Sequence, residues 1–235
     1  MSIRALVTDI EGTTTDIAFV HQRLFPLARA AMPRFVHAHA NDPAHAASFA
    51  AVRTAVAGSA RDAATVTLDE ELAQLLAWMD ADAKVTPLKA IQGAIWRDAY
   101  ADGELLSHVF ADVAPVLRRL VEEGVKIYVY SSGSIEAQRQ LFQHTEAGDL
   151  TTYLSGYFDT TTGPKKETAS YAQIAATIGL PAAEVLFVSD VIAELDAART
   201  AGMQTLWMVR PGCAEVDAHD HARAASFEAI GVTKG

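Results

Sequence analysis

The sequence contains one cysteine, Cys213, among its 235 residues, so no disulfide can form within the chain. A single thiol is typical of a reducing compartment, and we expect a cytoplasmic protein. Cys213 follows a turn-forming Pro-Gly pair, has no activating base beside it in the sequence, and is interpreted as incidental. No apolar run reaches the ~18 residues of a membrane span, and the N-terminus begins with a core-like strand instead of a signal peptide. We therefore expect no membrane partner.

Basic residues are also scarce. The chain has 19 Lys and Arg against 29 Asp and Glu, for a net charge of −10. A general nucleic-acid surface needs a basic excess, so this class of partner is disfavoured. An acidic protein that handles an anionic metabolite must supply positive charge locally, and a bound cation with one or two placed lysines would suffice. Half of the residues are hydrophobic, enough for one large domain or a core with a smaller insert.

Short apolar runs alternate with helical patterns in the second half of the chain. A first run, 3–8, is followed much later by strand-like runs at 125–130, 185–190 and 205–210. Helical spacing lies between these runs, at 113–122, 135–142 and 191–201. This alternation predicts an α/β fold with a doubly wound parallel sheet.

The segment between the first two strands is too long for an ordinary crossover. It is rich in Ala, Leu and His, and one helical face is formed by Leu68, Leu72, Leu75, Leu76 and Met79. A second helix is predicted to begin near Pro87, with Thr86 as its N-cap. We therefore expect a catalytic core of residues 1–16 and 105–235, with residues 17–104 as an all-α cap inserted after the first strand.

Polar residues follow three of the predicted strands. Asp9 and Glu11 follow the first, with Gly12 allowing a sharp turn, and Asp190 is the last residue of a later one. Ligands of open α/β sheets collect at these strand ends. A Ser-Ser-Gly-Ser run, 131–134, opens a helix whose N-terminus favours anions. Alone, such residues also have simpler interpretations, as turn acids or helix N-caps.

A lysine completes the set. Lys165 follows a Thr-Gly-Pro turn, where an isolated lysine is usually a solvated charge. Together, however, paired carboxylates favour a hard cation such as Mg²⁺, which also takes phosphate oxygens. The hydroxyl run and Lys165 would then hold the phosphate.

The order and spacing of these motifs resemble the haloacid dehalogenase superfamily of aspartyl-phosphate phosphatases. Its four motifs match Asp9-x-Glu11-Gly12-Thr13, Ser131 with its following glycine, Lys165, and Ser189-Asp190 followed by Glu194. The resemblance covers residues 1–16 and about 105–215, with the cap where that superfamily inserts its first type of cap.

One residue departs from the usual superfamily pattern and points to a particular family within it. Most phosphatases of the superfamily carry Asp where this chain has Glu11. The run Asp-Ile-Glu-Gly-Thr-Thr is similar to the enolase-phosphatase family of methionine salvage, the acireductone synthases. So are the blocks 130–138, 156–160 and 88–96, the last within the predicted cap.

The resemblance implies roles for individual residues. Asp9 would be the nucleophile, and one Mg²⁺ per subunit would be held by Asp9, Asp190 and the backbone carbonyl of Glu11. Ser131 and the Ser132 backbone would hold phosphate oxygens, and Lys165 would offset negative charge on phosphate and nucleophile. The substrate would be 2,3-diketo-5-methylthiopentyl-1-phosphate, a small phosphorylated metabolite that is enolised and then dephosphorylated. The Glu11 side chain is the candidate base for enolisation.

Four further side chains have two interpretations each. Trp96, in the predicted cap, is either core or a wall of the substrate pocket. Glu194, one turn past Asp190, is either a partner of the metal water or a surface charge. His37 and His39 suggest metal binding, but with no third ligand found nearby we interpret them as surface residues.

Other functional classes remain open at this level. A related sugar-phosphate or phosphoglycolate phosphatase is an alternative that Glu11 disfavours. A receiver-like signalling module also collects acids, a hydroxyl and a lysine at strand ends, but it is about half this length and has no cap. A catalytically silent binding protein is disfavoured while Asp9, Lys165 and Asp190 are all present. We expect a monomer.

Overall fold

The computed structural model describes residues 3–211 and 220–231, and its centre is a six-stranded parallel sheet. Cys213 lies outside the described residues. The sheet order is β3-β2-β1-β4-β5-β6. Its strands are β1 Ala5–Thr8, β2 Lys126–Tyr130, β3 Gly156–Phe158, β4 Val185–Ser189, β5 Gln204–Met208 and β6 Arg223–Ala224. The prediction of a doubly wound parallel sheet is confirmed.

All four residues of strand β1 are buried, because this strand lies between β2 and β4 in the middle of the sheet. Val7 pairs with Tyr128 of β2 on one side and with Phe187 of β4 on the other. Leu6 packs into the hydrophobic cluster on one face of the sheet, and Val7 packs into the cluster on the opposite face. The C-terminal ends of β1, β2 and β4 therefore lie side by side.

Helices connect the strands and cover both faces of the sheet. Their bounds are α1 Ile17–Phe19, α6 Val113–Glu122, α7 Ile135–Gln143, α8 Thr168–Ile178 and α9 Ile192–Thr200. Helix α6 contributes Leu117 to the cluster around Leu6, and α8 and α9 contribute Ile174 and Leu195 to the cluster around Val7.

The chain folds into two compact units, Met1–Phe19 with Leu106–Gly235 and Val20–Leu105. The second unit is helical: a π-helical turn Val20–Leu24 is followed by α2 Phe25–His39, α3 Ala46–Ala57, α4 Leu68–Asp80 and α5 Thr86–Ala101. It has a hydrophobic core of its own, in which Leu75 and Ile91 are fully buried. That this unit acts as a cap stays a prediction.

Several local predictions differ from the structure. Helix α5 begins at Thr86, its N-cap is Val85 without a side-chain hydrogen bond, and the Thr86 cap prediction was wrong. Helix α4 instead has a capping box between Thr67 and Glu70. The short strands β3 and β6 were not predicted, because pairing with a neighbouring strand defines them more than their own sequence does.

Candidate active site

The loop after β1 holds Asp9 in a fixed position. Asp9 is 3% exposed, its N–H donates to the Val188 carbonyl at 2.9 Å, and its Oδ1 accepts from the Ile10 N–H at 2.8 Å. The Ile10 carbonyl then accepts three backbone N–H groups, from Thr13, Thr14 and Thr15. A turn with this many internal hydrogen bonds presents the Asp9 carboxylate on a rigid backbone.

Lys165 forms the closest ion pair of the site. Its Nζ lies 2.7 Å from Asp9 Oδ1 and 2.8 Å from Glu194 Oε2, and the residue is 9% exposed. The Tyr171 hydroxyl donates to the Lys165 backbone carbonyl at 2.6 Å. Burial lowers the pKa of Lys165, but the carboxylates of Asp9 and Glu194 outweigh burial and raise the pKa above its usual value. Lys165 therefore stays charged between two acids.

Glu194 is a buried partner of Lys165. The Ser189 hydroxyl lies 3.1 Å from Glu194 Oε2 and 3.4 Å from Asp9 Oδ2. Burial, followed by the nearby charge of Asp9, raises the pKa of Glu194 to about 7. Of the two sequence interpretations, a surface charge is excluded. The second interpretation, that Glu194 contacts a metal-bound water, stays a prediction.

Asp190 faces the same loop from the end of β4. Its N–H donates to Thr13 Oγ1 at 3.1 Å, and its carbonyl accepts from Trp207 Nε1 at 3.2 Å. Its side-chain Oδ1 is buried without a hydrogen-bond partner among the described residues. Burial and then the charge of Asp9 raise the pKa of Asp190 to about 6. A buried carboxylate oxygen without a donor is one that a cation would satisfy.

Gly12 is required by this arrangement. Its φ is +70°, which side chains rarely adopt, and a Cβ built at this position would overlap the Asp190 carboxylate at well under 3.0 Å. The carboxylate thus occupies the space that any other residue would fill.

Glu11 and Ser131 meet on the β2 side of the site. The Ser131 hydroxyl lies 3.5 Å from Glu11 Oε2 and accepts from the Gly133 N–H at 3.1 Å. Burial and then Asp9 raise the pKa of Glu11. Ser134 caps α7 by accepting from the Ala137 N–H, whereas Ser132 is exposed. The structure thus brings Asp9, Glu11, Ser131, Lys165, Asp190 and Glu194 to neighbouring strand ends.

The charges of this site favour a cation. Asp9, Glu11, Asp190 and Glu194 are four carboxyl groups, and the Lys165 ammonium group contacts two of them, Asp9 and Glu194. The unpaired Asp190 Oδ1 and the carboxylate-rich set fit a hard divalent ion such as Mg²⁺. In the described residues the side-chain ligand atoms of Asp9, Glu11 and Asp190 do not all lie within 4.8 Å of one another. One ion could therefore contact all three carboxylates only after their side chains move.

Trp96 and the two alanine-flanked histidines lie in the second unit. Trp96 is half-buried, and its Nε1 donates to the Leu24 carbonyl at 3.0 Å. Its role as a pocket wall stays a prediction. His37 is exposed, as expected, whereas His39 lies beside two ligand-type side chains that the sequence patterns did not reveal, Asp42 and His45.

A buried ion pair supports the loop after β1 and was also missed. Arg210 is 4% exposed, and it donates to the Thr13 carbonyl at 2.9 Å and to Asp112 Oδ2 at 2.6 Å. Its guanidinium centre lies 4.2 Å from the centroid of the Phe110 ring. Burial raises the pKa of Asp112, but hydrogen bonds from Arg210 and the Phe227 N–H outweigh burial and lower it. No local pattern marks this pair, because its partners lie 98 residues apart.

The sheet topology and the strand-end acids define a class of hydrolase. Residues 3–202 match the family model described as haloacid dehalogenase-like hydrolase. The chain belongs to this family, and its closely similar relatives are enolase-phosphatases. Because this family and these relatives are hydrolytic enzymes, a receiver-like signalling module and a catalytically silent binding protein are excluded.

Those relatives match along nearly the whole chain. Enolase-phosphatase E1 of Sorangium cellulosum is 52% identical over 97% of this chain and 97% of its own length. Enolase-phosphatase E1 of Pseudomonas aeruginosa is 53% identical over 98% and 99%. The crystal structure of the UTR4 protein (Unknown transcript 4 protein) from Saccharomyces cerevisiae has a TM-score of 0.82 at 33% identity, and covers 97% of this chain and all of that one. The resemblance stated from the sequence motifs is confirmed.

None of the helices in 3–211 and 220–231 has the length and apolar character needed to cross a membrane.

Proposed function

We propose that this chain is the enolase-phosphatase of methionine salvage. It converts 2,3-diketo-5-methylthiopentyl-1-phosphate to the acireductone 1,2-dihydroxy-3-keto-5-methylthiopentene, by enolisation and then dephosphorylation. The observation that carries the proposal is the buried Asp9–Lys165–Glu194 cluster at the end of β1, in a chain about half identical to enolase-phosphatases over nearly its full length. The substrate class is thus a small phosphorylated metabolite.

Asp9 is proposed as the nucleophile. Its carboxylate attacks phosphorus, the bond to the substrate oxygen breaks, and an aspartyl-phosphate forms that water then hydrolyses. Lys165, 2.7 Å from Asp9 Oδ1, offsets the negative charge that accumulates between the carboxylate and the phosphate. Its raised pKa keeps this charge in place through turnover. Ser131 and the Ser132 backbone, beside the N-terminus of α7, are proposed to hold phosphate oxygens.

Glu11 is proposed as the base for enolisation. Burial and the Asp9 charge make its carboxyl a stronger base than an exposed glutamate, because both raise its pKa. It accepts the proton from the carbon next to the substrate carbonyl. The Ser131 hydroxyl, 3.5 Å from Glu11 Oε2, positions this carboxyl.

One Mg²⁺ is proposed at Asp9, Asp190 and the backbone carbonyl of Glu11. When bound, this ion neutralises phosphate charge and polarises the substrate oxygens. The unpartnered Asp190 Oδ1 supports this placement. We further propose that residues 17–104 act as the cap, that Trp96 forms part of the substrate pocket, and that the enzyme works as a cytoplasmic monomer.

The proposal is tested by giving the purified protein the diketo phosphate with Mg²⁺ and following enol absorbance and free phosphate together. Both signals should appear, and both should disappear with chelator. Phosphoglycolate and sugar phosphates serve as competing substrates at equal concentration. Faster turnover of either competitor, or phosphate release without any enol, would contradict the assigned substrate.

A further inference from the structure

The turn after α2 brings together three side chains of the kind that bind transition metals. Single ligand atoms of His39, Asp42 and His45 all lie within 4.8 Å of one another. His39 is the last residue of α2, Asp42 is the N-cap of the next turn, and His45 ends that turn. The catalytic site uses none of the three, and they lie within one compact unit.

The two imidazole rings are held in place by a common aromatic neighbour. The Phe35 ring, whose residue is 6% exposed, lies 4.5 Å from the His39 ring and 5.2 Å from the His45 ring, between centroids. The two histidine rings lie 5.6 Å apart, nearly perpendicular at 86°. Rings that pack on a buried side chain lose little further freedom when they bind an ion.

Asp42 is oriented by the backbone. Its Oδ1 accepts from the Ala44 N–H at 2.9 Å, and its Oδ2 lies 3.5 Å from His39 Nδ1. One carboxylate oxygen thus fixes the turn while the other faces the histidine.

The surroundings also favour a cation. His39 lies at the C-terminal end of α2, where the helix dipole is negative. Phe35 and His39 line a cavity of about 530 Å³ whose wall also carries three acidic side chains and one basic one, namely Asp98, Asp102, Glu104 and Arg34.

We propose that His39, Asp42 and His45 form a second metal site, which takes a transition ion of the Zn²⁺ class. Two imidazoles and one carboxylate are ligands that Zn²⁺ prefers, whereas Mg²⁺ prefers oxygen ligands alone. Zn²⁺ holds nitrogen ligands at about 2.0–2.1 Å, so atoms already within 4.8 Å of one another need only side-chain rotation to reach one ion. With three protein ligands, the fourth position stays open to water or to an exogenous ligand. The site is independent of the proposed catalytic function.

The test is a Zn²⁺ titration of the full chain by competition with a chromophoric chelator. Excess Mg²⁺ is present to fill the catalytic site, and Cys213→Ser is the background, to remove the single thiol. One Zn²⁺ per chain should bind. His45→Ala should weaken binding at least about tenfold, because even partners of metal ligands contribute about 10–100-fold. His37→Ala, an exposed histidine near the end of the same helix, is the matched control and should bind as the background protein does.

A second variant covers the case in which His45→Ala fails to fold. Asp42→Asn keeps an oxygen for the Ala44 N–H but removes the charge, so it should fold and still bind Zn²⁺ more weakly. Circular dichroism confirms the fold of each variant. The proposal is overturned if the background protein binds no Zn²⁺ at micromolar concentration, or if folded His45→Ala or Asp42→Asn binds it as tightly as His37→Ala does.

Discussion

Replacing Gly12 by Ala should damage the proposed metal site, and the structure gives the size of the effect. The φ of +70° costs a side chain roughly 1–2 kcal/mol in free energy of unfolding. The new methyl group would also overlap the Asp190 carboxylate, and such overpacking costs a further ~1–3 kcal/mol. Asp190 must then move, so Mg²⁺ affinity should fall at least about tenfold, as when a partner of a metal ligand is lost.

A matched control separates the two effects. Gly179 ends α8 at φ +75°, and a Cβ built there meets nothing within 4 Å. Gly179→Ala should therefore lower the free energy of unfolding by roughly 1–2 kcal/mol and leave Mg²⁺ affinity unchanged. Urea unfolding of the metal-free variants and calorimetric Mg²⁺ titration measure the two quantities. Equal Mg²⁺ affinity in the two variants would refute the role of the Gly12–Asp190 contact.

Three further perturbations probe other parts of the account. Asp190→Ala should weaken Mg²⁺ binding at least about tenfold while leaving the fold intact by circular dichroism; unchanged affinity would move the metal elsewhere. Trp96→Ala should lower kcat/KM for the methylthio substrate by ~10–100-fold and barely change turnover of a small aryl phosphate. Trp78→Ala is the control, because both indoles are partly buried against the same hydrophobic cluster, and it should change the two substrates equally. Equal loss on both substrates in Trp96→Ala would contradict a role for Trp96 in the substrate pocket. The pKa of Glu194 is raised from 4.5 to about 7, so the folded metal-free enzyme binds more protons than the unfolded chain in this window, and its stability should fall as pH rises from about 4.5 to 7. Glu194→Gln should reduce that slope in urea titrations, with the remainder due to the raised pKa values of Asp190 and Glu11. An unaltered slope would contradict the raised pKa of Glu194.

The strand-end site was predictable because its residues sit in local patterns. Asp9 and Asp190 each follow a short apolar run, and parallel topology then places such ends side by side. Lys165 carries only a turn as its local signal, and the motif resemblance was needed to select it. Its contact with Glu194 depends on how α9 packs, which no local pattern states.

Sequence reasoning missed two features, the Arg210–Asp112 ion pair and the His39–Asp42–His45 cluster. Both depend on how the chain folds and packs, which no local sequence pattern shows. Arg210 and Asp112 meet across 98 residues, so neither position looks unusual alone. His39 and His45 are close in sequence, but they become neighbours only because the chain turns at Asp42 and both rings pack on Phe35. Helical spacing alone placed His39 on a surface without further ligands.

The central claim is that one site enolises the substrate through Glu11 and then transfers phosphate to Asp9. Rapid mixing of the diketo phosphate and Mg²⁺ with Glu11→Gln and with Asp9→Asn tests it directly, with enol absorbance and free phosphate recorded together. Asp9→Asn should accumulate enol phosphate and release phosphate several orders of magnitude more slowly than wild type, because an amide is a poor nucleophile. Glu11→Gln should block the enol absorbance from its onset. Normal enolisation by Glu11→Gln, or phosphate release by Asp9→Asn within tenfold of wild type, would contradict the account.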